Sequence, residues 1–405
     1  MRLLCVPNEL PLPANAGGRV DVWRRLQLLQ GMGCDLALLS WYDASRDGAP
    51  GPATLAQLRT VCPQVLLQPI RRSPLELLQR LAWLGRLPSH AAARWVTLDR
   101  PQVLAWARAF APDVLLLDGL YGAPVVRWLA GELGLPWLYR AHNLEHVYMQ
   151  RQWASATGWR ARAGLAANLP GLRALEHNTV AAASQVLDIS PADLQHWQAC
   201  GHHHVQWLPT VVDAGFVAGL QAASRQPAAW DMAYFGNLNT PNNVAAVRWL
   251  VQQVLPLLGA QCPSLLLAGS RPSDAVRALA ASNSRITLMA DPPDMPALVG
   301  AARVLLNPVQ AGSGVNLKSV EMLFSRAALV STPAGVLGLP AAAAACFEVR
   351  ADPAGFAQAV QAAVLHGAPG AAALAARHSA SAPFAPAAAA AVLGQVLALA
   401  TGRAA

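Results

Sequence analysis

Three loops hold the residue types that do polar chemistry, and each follows a short apolar run. The first, Pro11-Leu12-Pro13-Ala14-Asn15-Ala16-Gly17-Gly18-Arg19, leads into a helix expected near Val20. Two glycines at a helix start let backbone N–H groups approach an anion, and the helix dipole adds to the attraction. Gly17 and Gly18 are therefore candidates for phosphate, and Arg19 for a sugar or acceptor. The pair is not a GxGxxG fingerprint, and an ordinary turn explains it as well. The second loop, Tyr139-Arg140-Ala141-His142-Asn143-Leu144-Glu145-His146, packs four ionisable groups and an amide into seven residues. Such groups are costly at a strand end unless they are used. His142, Asn143 and Glu145 could meet sugar hydroxyls, with Arg140 offsetting phosphate charge; a helix start capped by Asn143 is the plainer alternative.

The third loop runs from Asn307 through Gly312-Ser313-Gly314-Val315-Asn316 to Leu317-Lys318-Ser319-Val320-Glu321. A strand end, a Gly-Ser-Gly turn and a helix start again suit a phosphate. Lys318 and Glu321 are three apart and share a helical face. Lys318 fits a diphosphate, and Glu321 could accept hydrogen bonds from two ribose hydroxyls. Lys318 is the sole lysine in a chain whose other 29 basic residues are arginine, which makes a casual surface role harder to credit. Other constellations are weaker. His202-His203-His204 are adjacent and cannot easily converge on one ion. No DxD-like pair sits at a strand end, and no Ser-His-Asp or Cys-His arrangement is legible. No metal and no bound cofactor are expected.

The elements that would position these loops repeat a simple unit: apolar strand, Gly/Pro/Asp turn, amphipathic helix. Strands are expected at Leu3–Val6, Leu36–Leu39, Val114–Leu117, Trp137–Tyr139 and Val186–Ile189, then at Met232–Phe235, Leu265–Ala268, Arg285–Leu288, Val304–Leu306, Ala328–Val330 and Cys346–Val349. Short apolar strands separated by helices indicate parallel sheets covered on both faces. Two such series in 405 residues predict an α/β chain of two doubly wound, Rossmann-like domains. The first is expected over 1–209 and the second over 210–383, with a C-terminal helix, 384–405, returning to the first. Residues 71–110 and 150–175 fit the alternation poorly; they read as helical insertions rich in Arg and Trp (Arg71, Arg72, Trp83, Arg86, Trp95; Trp153, Trp159, Arg160, Arg162). Surface helices packed on the sheet are the default reading, and a face resting on a membrane is the alternative.

Composition narrows the class. Hydrophobic residues make up 54% and charged residues 13%, enough apolar material for two cores and too little polarity for disorder. The start is too short and mixed for a signal peptide, and no run of about 18 apolar residues is uninterrupted, the Ala-rich stretch from Pro386 coming nearest. Six scattered cysteines without a CxxC pair fit a reducing cytoplasm. The formal charge of +8 is dispersed: 19 Arg against 14 acids in residues 1–210, and 11 Arg or Lys against 8 in 211–405. That balance suits anionic lipid or a phosphorylated acceptor, and no nucleic-acid-binding pattern accompanies it.

The three loops, in this order, resemble the retaining glycosyltransferases of family 4 over residues 2–40, 112–215 and 231–340. Gly312 to Glu321 looks like the GGGTRLKxxE variant of that family's C-terminal motif, and Tyr234-Phe235-Gly236-Asn237-Leu238-Asn239-Thr240-Pro241-Asn242-Asn243 is similar to the strand-turn opening its donor domain. The resemblance implies a GT-B fold with two domains facing a central cleft. It implies a nucleotide-sugar donor, a glycan or lipid-linked acceptor, retention of configuration, and a place in cell-envelope polysaccharide biosynthesis. In residue terms it implies that Gly17 and Gly18 contact donor phosphate or acceptor, His142 the transferred sugar, and Glu321 the ribose. Two departures stand out. Ser313 occupies a position that is acidic in many members, and Asn237 and Asn243 stand where many carry Arg and Lys; Arg271 and Lys318 are then the candidates to face the diphosphate. A nucleotide-sugar epimerase and a catalytically silent sugar-nucleotide-binding subunit are the alternative readings.

Overall fold

The computed structural model describes residues 1–43, 48–71, 73–156, 158–259, 263–312 and 314–402. The chain divides into two compact units, Met1–Pro209 with Ala389–Ala405, and Thr210–Ala388.

The first unit is built on seven parallel strands: β1 (Arg2–Pro7), β2 (Asp35–Asp43), β3 (Gln64–Ile70), β4 (Val114–Asp118), β5 (Trp137–Ala141), β6 (Gln185–Asp188) and β7 (Val205–Trp207), in the order β3-β2-β1-β4-β5-β6-β7. The central strands are buried on both faces, as in Leu115, Leu116 and Leu117, because helices cover each side. The order reverses between β1 and β4, whose C-terminal ends pair Pro7 with Asp118. Ligands bind at such reversal points in open α/β sheets, because flanking loops diverge there and leave a crevice. The second unit repeats the plan with six strands: β8 (Trp230–Asn237), β9 (Leu265–Ser270), β10 (Ile286–Ala290), β11 (Ala302–Asn307), β12 (Ala328–Ser331) and β13 (Glu348–Val349), in the order β10-β9-β8-β11-β12-β13. Its reversal lies between β8 and β11. Each sheet has its own core, one around Leu4, Leu117 and Tyr139, the other around Tyr234, Leu267 and Leu306.

Several helices start where the sequence supplies caps. Side-chain oxygens of Ser73, Asp99, Ser190, Asp213, Ser273 and Asp352 each accept a backbone N–H in the first turn that follows, worth about 1 kcal/mol apiece. Two strands escaped the sequence reading. β3 carries Gln64, Gln68 and Pro69, a composition tolerated because it is an edge strand. β7 is also at an edge and only three residues long. Residues 71–110 form helices Pro74–Leu81, Ser89–Val96 and Arg100–Phe110, and Trp159–Ala166 lies in the second insertion; Arg72 is outside the described residues. One described helical stretch, Ala371–Thr401, is long and apolar enough to cross a membrane by length and composition. A 3-10 turn at Ala382–Phe384 divides it. Its Arg377 is buried, donating to the carbonyls of Ser325 at 3.1 Å and Ala327 at 2.7 Å.

Candidate functional site

In the second unit, the ends of β8, β9 and β11 meet around Lys318. Gly236 and Gly269 are register partners on β8 and β9. A Cβ at Gly269 would lie 1.8 Å from the Gly236 carbonyl oxygen, so only glycine permits the approach. Gly236 has φ 141°, and a Cβ there would reach Lys318 Cε at 3.3 Å. Lys318 sits in the first turn of the helix Leu317–Met322, where the Asn316 side chain accepts its backbone N–H at 3.2 Å. The lysine is 8% exposed. Its Nζ stands 3.7 Å from the centroid of the Tyr234 ring and donates to Asn243 Oδ1 at 3.4 Å. Tyr234 donates its hydroxyl to the same Asn243 oxygen at 2.8 Å, and Asn243 Nδ2 donates to the Asn237 carbonyl at 2.8 Å. Burial pushes the lysine pKa well below its usual value, with Glu321 acting in the opposite direction. An ammonium held this way lacks the hydration it would have in water, and an incoming anion would restore its charge.

The base of the helix is anchored behind the lysine. Asn307 donates to Ser319 Oγ at 2.7 Å, and Ser319 donates to the Gly335 carbonyl at 2.6 Å. Gly314 turns at φ 69°, and Gly338 allows the approach of Gly314 and Val315. Glu321, one turn on from Lys318, is also buried at 9% exposure. Gly312 is exposed, with Val315 and Asn316 half-buried, while Ser313 lies outside the described residues. Arg271 is exposed in a turn at φ 48°, its backbone N–H bonded to the Asp291 carboxylate at 3.0 Å. The structure thus brings together Gly236, Asn237, Asn243, Lys318 and Glu321 near the strand-order reversal.

In the first unit the polar centre is Asp118, at the end of β4, which the motif reading did not single out. Arg25 grips its carboxylate through Nε at 2.9 Å and Nη2 at 2.8 Å, and also reaches Asp21 at 2.9 Å. His142 Nε2 lies 2.6 Å from Asp118 Oδ1. Burial alone would raise the Asp118 pKa; the Arg25 guanidinium, then His142, outweigh it and hold the carboxyl below its usual range. Asp118 stays charged and fixes the imidazole orientation. Gly119 turns away at φ 93°, leaving room for Asn8, whose Oδ1 accepts the Tyr121 N–H at 2.8 Å. The legible signal was an Asp-Gly pair directly after an apolar strand, with Asp21 and Arg25 at i, i+4 on the first helix.

The neighbouring residues divide between exposed and enclosed positions. Asn143 is half-buried beside His142. Arg140 is fully enclosed: it donates to the Leu208 carbonyl at 2.6 Å and lies 3.5 Å from Asp21, and burial together with Arg25 lowers its pKa to about 10. It holds strand ends together instead of meeting a ligand's phosphate. Glu145 is likewise buried, accepting from the Tyr121 hydroxyl at 3.2 Å while Glu176 accepts its backbone N–H at 2.7 Å. Burial, then Glu176, pushes its carboxyl up to about 7. Gly17 and Gly18 are exposed at the first turn of the helix Gly17–Gly31, which no side chain caps, and Arg19 pairs with Glu9 at 2.7 Å. Of the three adjacent histidines, His204 bonds the Val180 carbonyl. Among the described residues no group of three or more His, Cys, Asp or Glu is arranged to hold a metal ion.

Comparison with known proteins places this geometry. Residues 230–365 match the family Glycosyl transferases group 1. Over 358 residues the chain is 23% identical to an uncharacterized 44.6 kDa protein in the cps region of Klebsiella pneumoniae, covering 83% of this chain and 84% of that protein. Among solved structures it is similar to sucrose-phosphate synthase from Thermosynechococcus elongatus (16% identity, 98% of each chain, TM-score 0.63). It is also similar to Anabaena Alr3699/HepE in complex with UDP and glucose (15% identity, 98% of this chain and 99% of that one, TM-score 0.58). The fold is therefore that of the GT-B glycosyltransferases, two Rossmann-like α/β domains, and the match to Glycosyl transferases group 1 falls in the second unit.

Proposed function

We propose that the protein transfers a sugar from a nucleotide-sugar donor to a glycan or lipid-linked acceptor, with retention of configuration, in cell-envelope polysaccharide assembly. The observation that carries the reading is the sole lysine, buried against Tyr234 and Asn243 beside a glycine-only strand approach at the strand-order reversal. Further support comes from the group 1 match over that unit, from Anabaena Alr3699/HepE being solved with UDP-glucose, and from the relative in a cps region.

In this reading Lys318 and the N–H groups of the Gly314–Leu317 turn face the donor diphosphate, Glu321 accepts from the ribose, and His142 contacts the transferred sugar. The bond between the anomeric carbon and the diphosphate oxygen breaks, and positive charge near the departing oxygens lowers the barrier. The acceptor hydroxyl bonds to the same face of that carbon and passes its proton to the departing phosphate. The second reading, a silent sugar-nucleotide-binding subunit, is favoured by one observation: Asn243 bonds both Lys318 and the Asn237 carbonyl, and these two asparagines stand where positive residues would strengthen a diphosphate clamp.

A thermal-shift panel of UDP, GDP, ADP and dTDP on wild type and on Lys318→Ala tests the site. One nucleotide is expected to stabilise wild type and lose its effect in the variant; indifference to all four would remove the donor-site assignment. The matching nucleotide-sugar, incubated with acceptor and EDTA, is then expected to turn over. Binding without turnover would favour the silent subunit.

A further inference from the structure

We infer that the first unit docks on an anionic lipid bilayer through the helix Pro74–Leu81 and the helix Trp159–Ala166. The first of these helices is inside out. Its charged residues Glu76 and Arg80 turn inward, at 18% and 14% side-chain exposure, and Arg80 donates to the Arg71 carbonyl. Its leucines turn outward: Leu75, Leu78 and Leu81 are 64%, 65% and 61% exposed, with Leu84 just beyond at 58%. No residue of this helix is buried. Water does not favour that arrangement, and each leucine gains by leaving it.

A second apolar point lies on the same unit. Trp159 is 75% exposed, with the Arg160 guanidinium 5.2 Å from its ring centroid. The chain after each helix meets the other: Ser89 N–H donates to the Ala167 carbonyl at 3.1 Å, and His90 N–H to Asn168 Oδ1 at 2.8 Å. The two helices therefore belong to one region of one unit. Charge selects the occupant. Residues 71–98 and 147–175 hold six exposed arginines (71, 86, 151, 160, 162 and 173) and one acid, the inward-turned Glu76. Exposed leucine and tryptophan among arginines is the pattern of a helix lying in the headgroup layer of an acidic bilayer. This inference does not depend on the reaction catalysed.

The test is co-sedimentation of the full chain with vesicles of phosphatidylcholine alone or with 30 mol% phosphatidylglycerol, at low and at 0.5 M salt. Binding to the anionic vesicles is expected, weakened by salt. Each arginine removed near the surface is expected to cost on the order of fivefold in affinity, so Arg160→Gln with Arg162→Gln should weaken binding by more than tenfold. Leu78→Ser with Leu81→Ser should weaken it by a similar factor at both salts, because inserted side chains are not screened. All four residues are exposed, so circular dichroism should show both variants folded. Three results would overturn the inference: no binding to either vesicle, binding that neither pair of substitutions changes, or a self-association in lipid-free buffer that the leucine variant abolishes.

Discussion

Replacing Lys318 by methionine should make the ligand-free protein more stable and the ligand-bound protein less so. The ammonium is 8% exposed, and what it receives in place of water is modest. The Tyr234 ring at 3.7 Å is worth about 2 kcal/mol, the bond to Asn243 is long at 3.4 Å, and Glu321 offsets the burial only in part. Loss of hydration costs several kcal/mol for a buried ion, and the depressed pKa shows that burial wins. Methionine keeps an unbranched stem of similar length. The ligand-free variant should therefore gain about 1–2 kcal/mol, raising the melting temperature by roughly 2–8 °C for a unit of this size. With nucleotide at about 100 times its Kd, wild type gains about 2.7 kcal/mol that the variant forfeits. Calorimetric melts with and without the nucleotide should thus invert in order. The pH dependence has a definite sign. With the folded pKa below the unfolded one, the unfolded chain holds more protons in the window between them, so wild-type stability rises with pH there and the variant lacks that slope. An anion beside Lys318 raises its pKa, so binding takes up a proton above the free-protein pKa and weakens as pH rises. A ligand-free variant less stable than wild type, with an unchanged nucleotide response, would refute the electrostatic reasoning.

Three further outcomes follow from the same geometry. Gly269→Ala must move the end of β8 or β9, since its Cβ would meet the Gly236 oxygen at 1.8 Å; a loss of at least about 2 kcal/mol in urea unfolding is expected, whereas Gly312→Ala, with open space around its Cβ, should unfold like wild type. Asp118→Asn leaves Arg25 with one carboxylate and takes from His142 the carboxylate at 2.6 Å, and should cost about 3 kcal/mol of stability along with sugar transfer. Glu145, with its carboxyl at about 7 when folded against 4.5 in its ordinary state, holds a proton that the unfolded chain releases. Stability should fall by up to about 3 kcal/mol as pH rises from about 4.5 to about 7 and stay level above; Glu145→Gln should remove that slope in melts across the range.

Much of the scaffold was legible because its strands are continuous apolar runs ended by Gly, Pro or Asp. Where that contrast fails, as at β3 with its glutamines and proline, the strand is visible only through its pairing with β2. The site was legible in the same uneven way. Lys318 stood out by composition, and His142 by the crowd of polar groups after an apolar strand. What holds them did not. The oxygen that Lys318 reaches lies 75 positions away, and Arg25 grips a carboxylate 93 positions away. Nothing local in either stretch marks the partner, because the sheet order and not the chain brings them together.

The helix Pro74–Leu81 shows a different kind of limit. Its spacing of Leu75, Leu78 and Leu81 on one side, with Glu76 and Arg80 on the other, establishes two faces but not which one meets the protein. In a helix packed on a sheet the leucines would turn inward, as Val125, Val126 and Leu129 do in the helix Ala123–Leu133. Here the polar pair turns inward, and the leucines are left to whatever covers them. Periodicity identifies a face; the surrounding charge identifies its partner. Six exposed arginines against one acid in residues 71–98 and 147–175 select a surface of negative charge, and an apolar layer beneath that charge is what the leucines require.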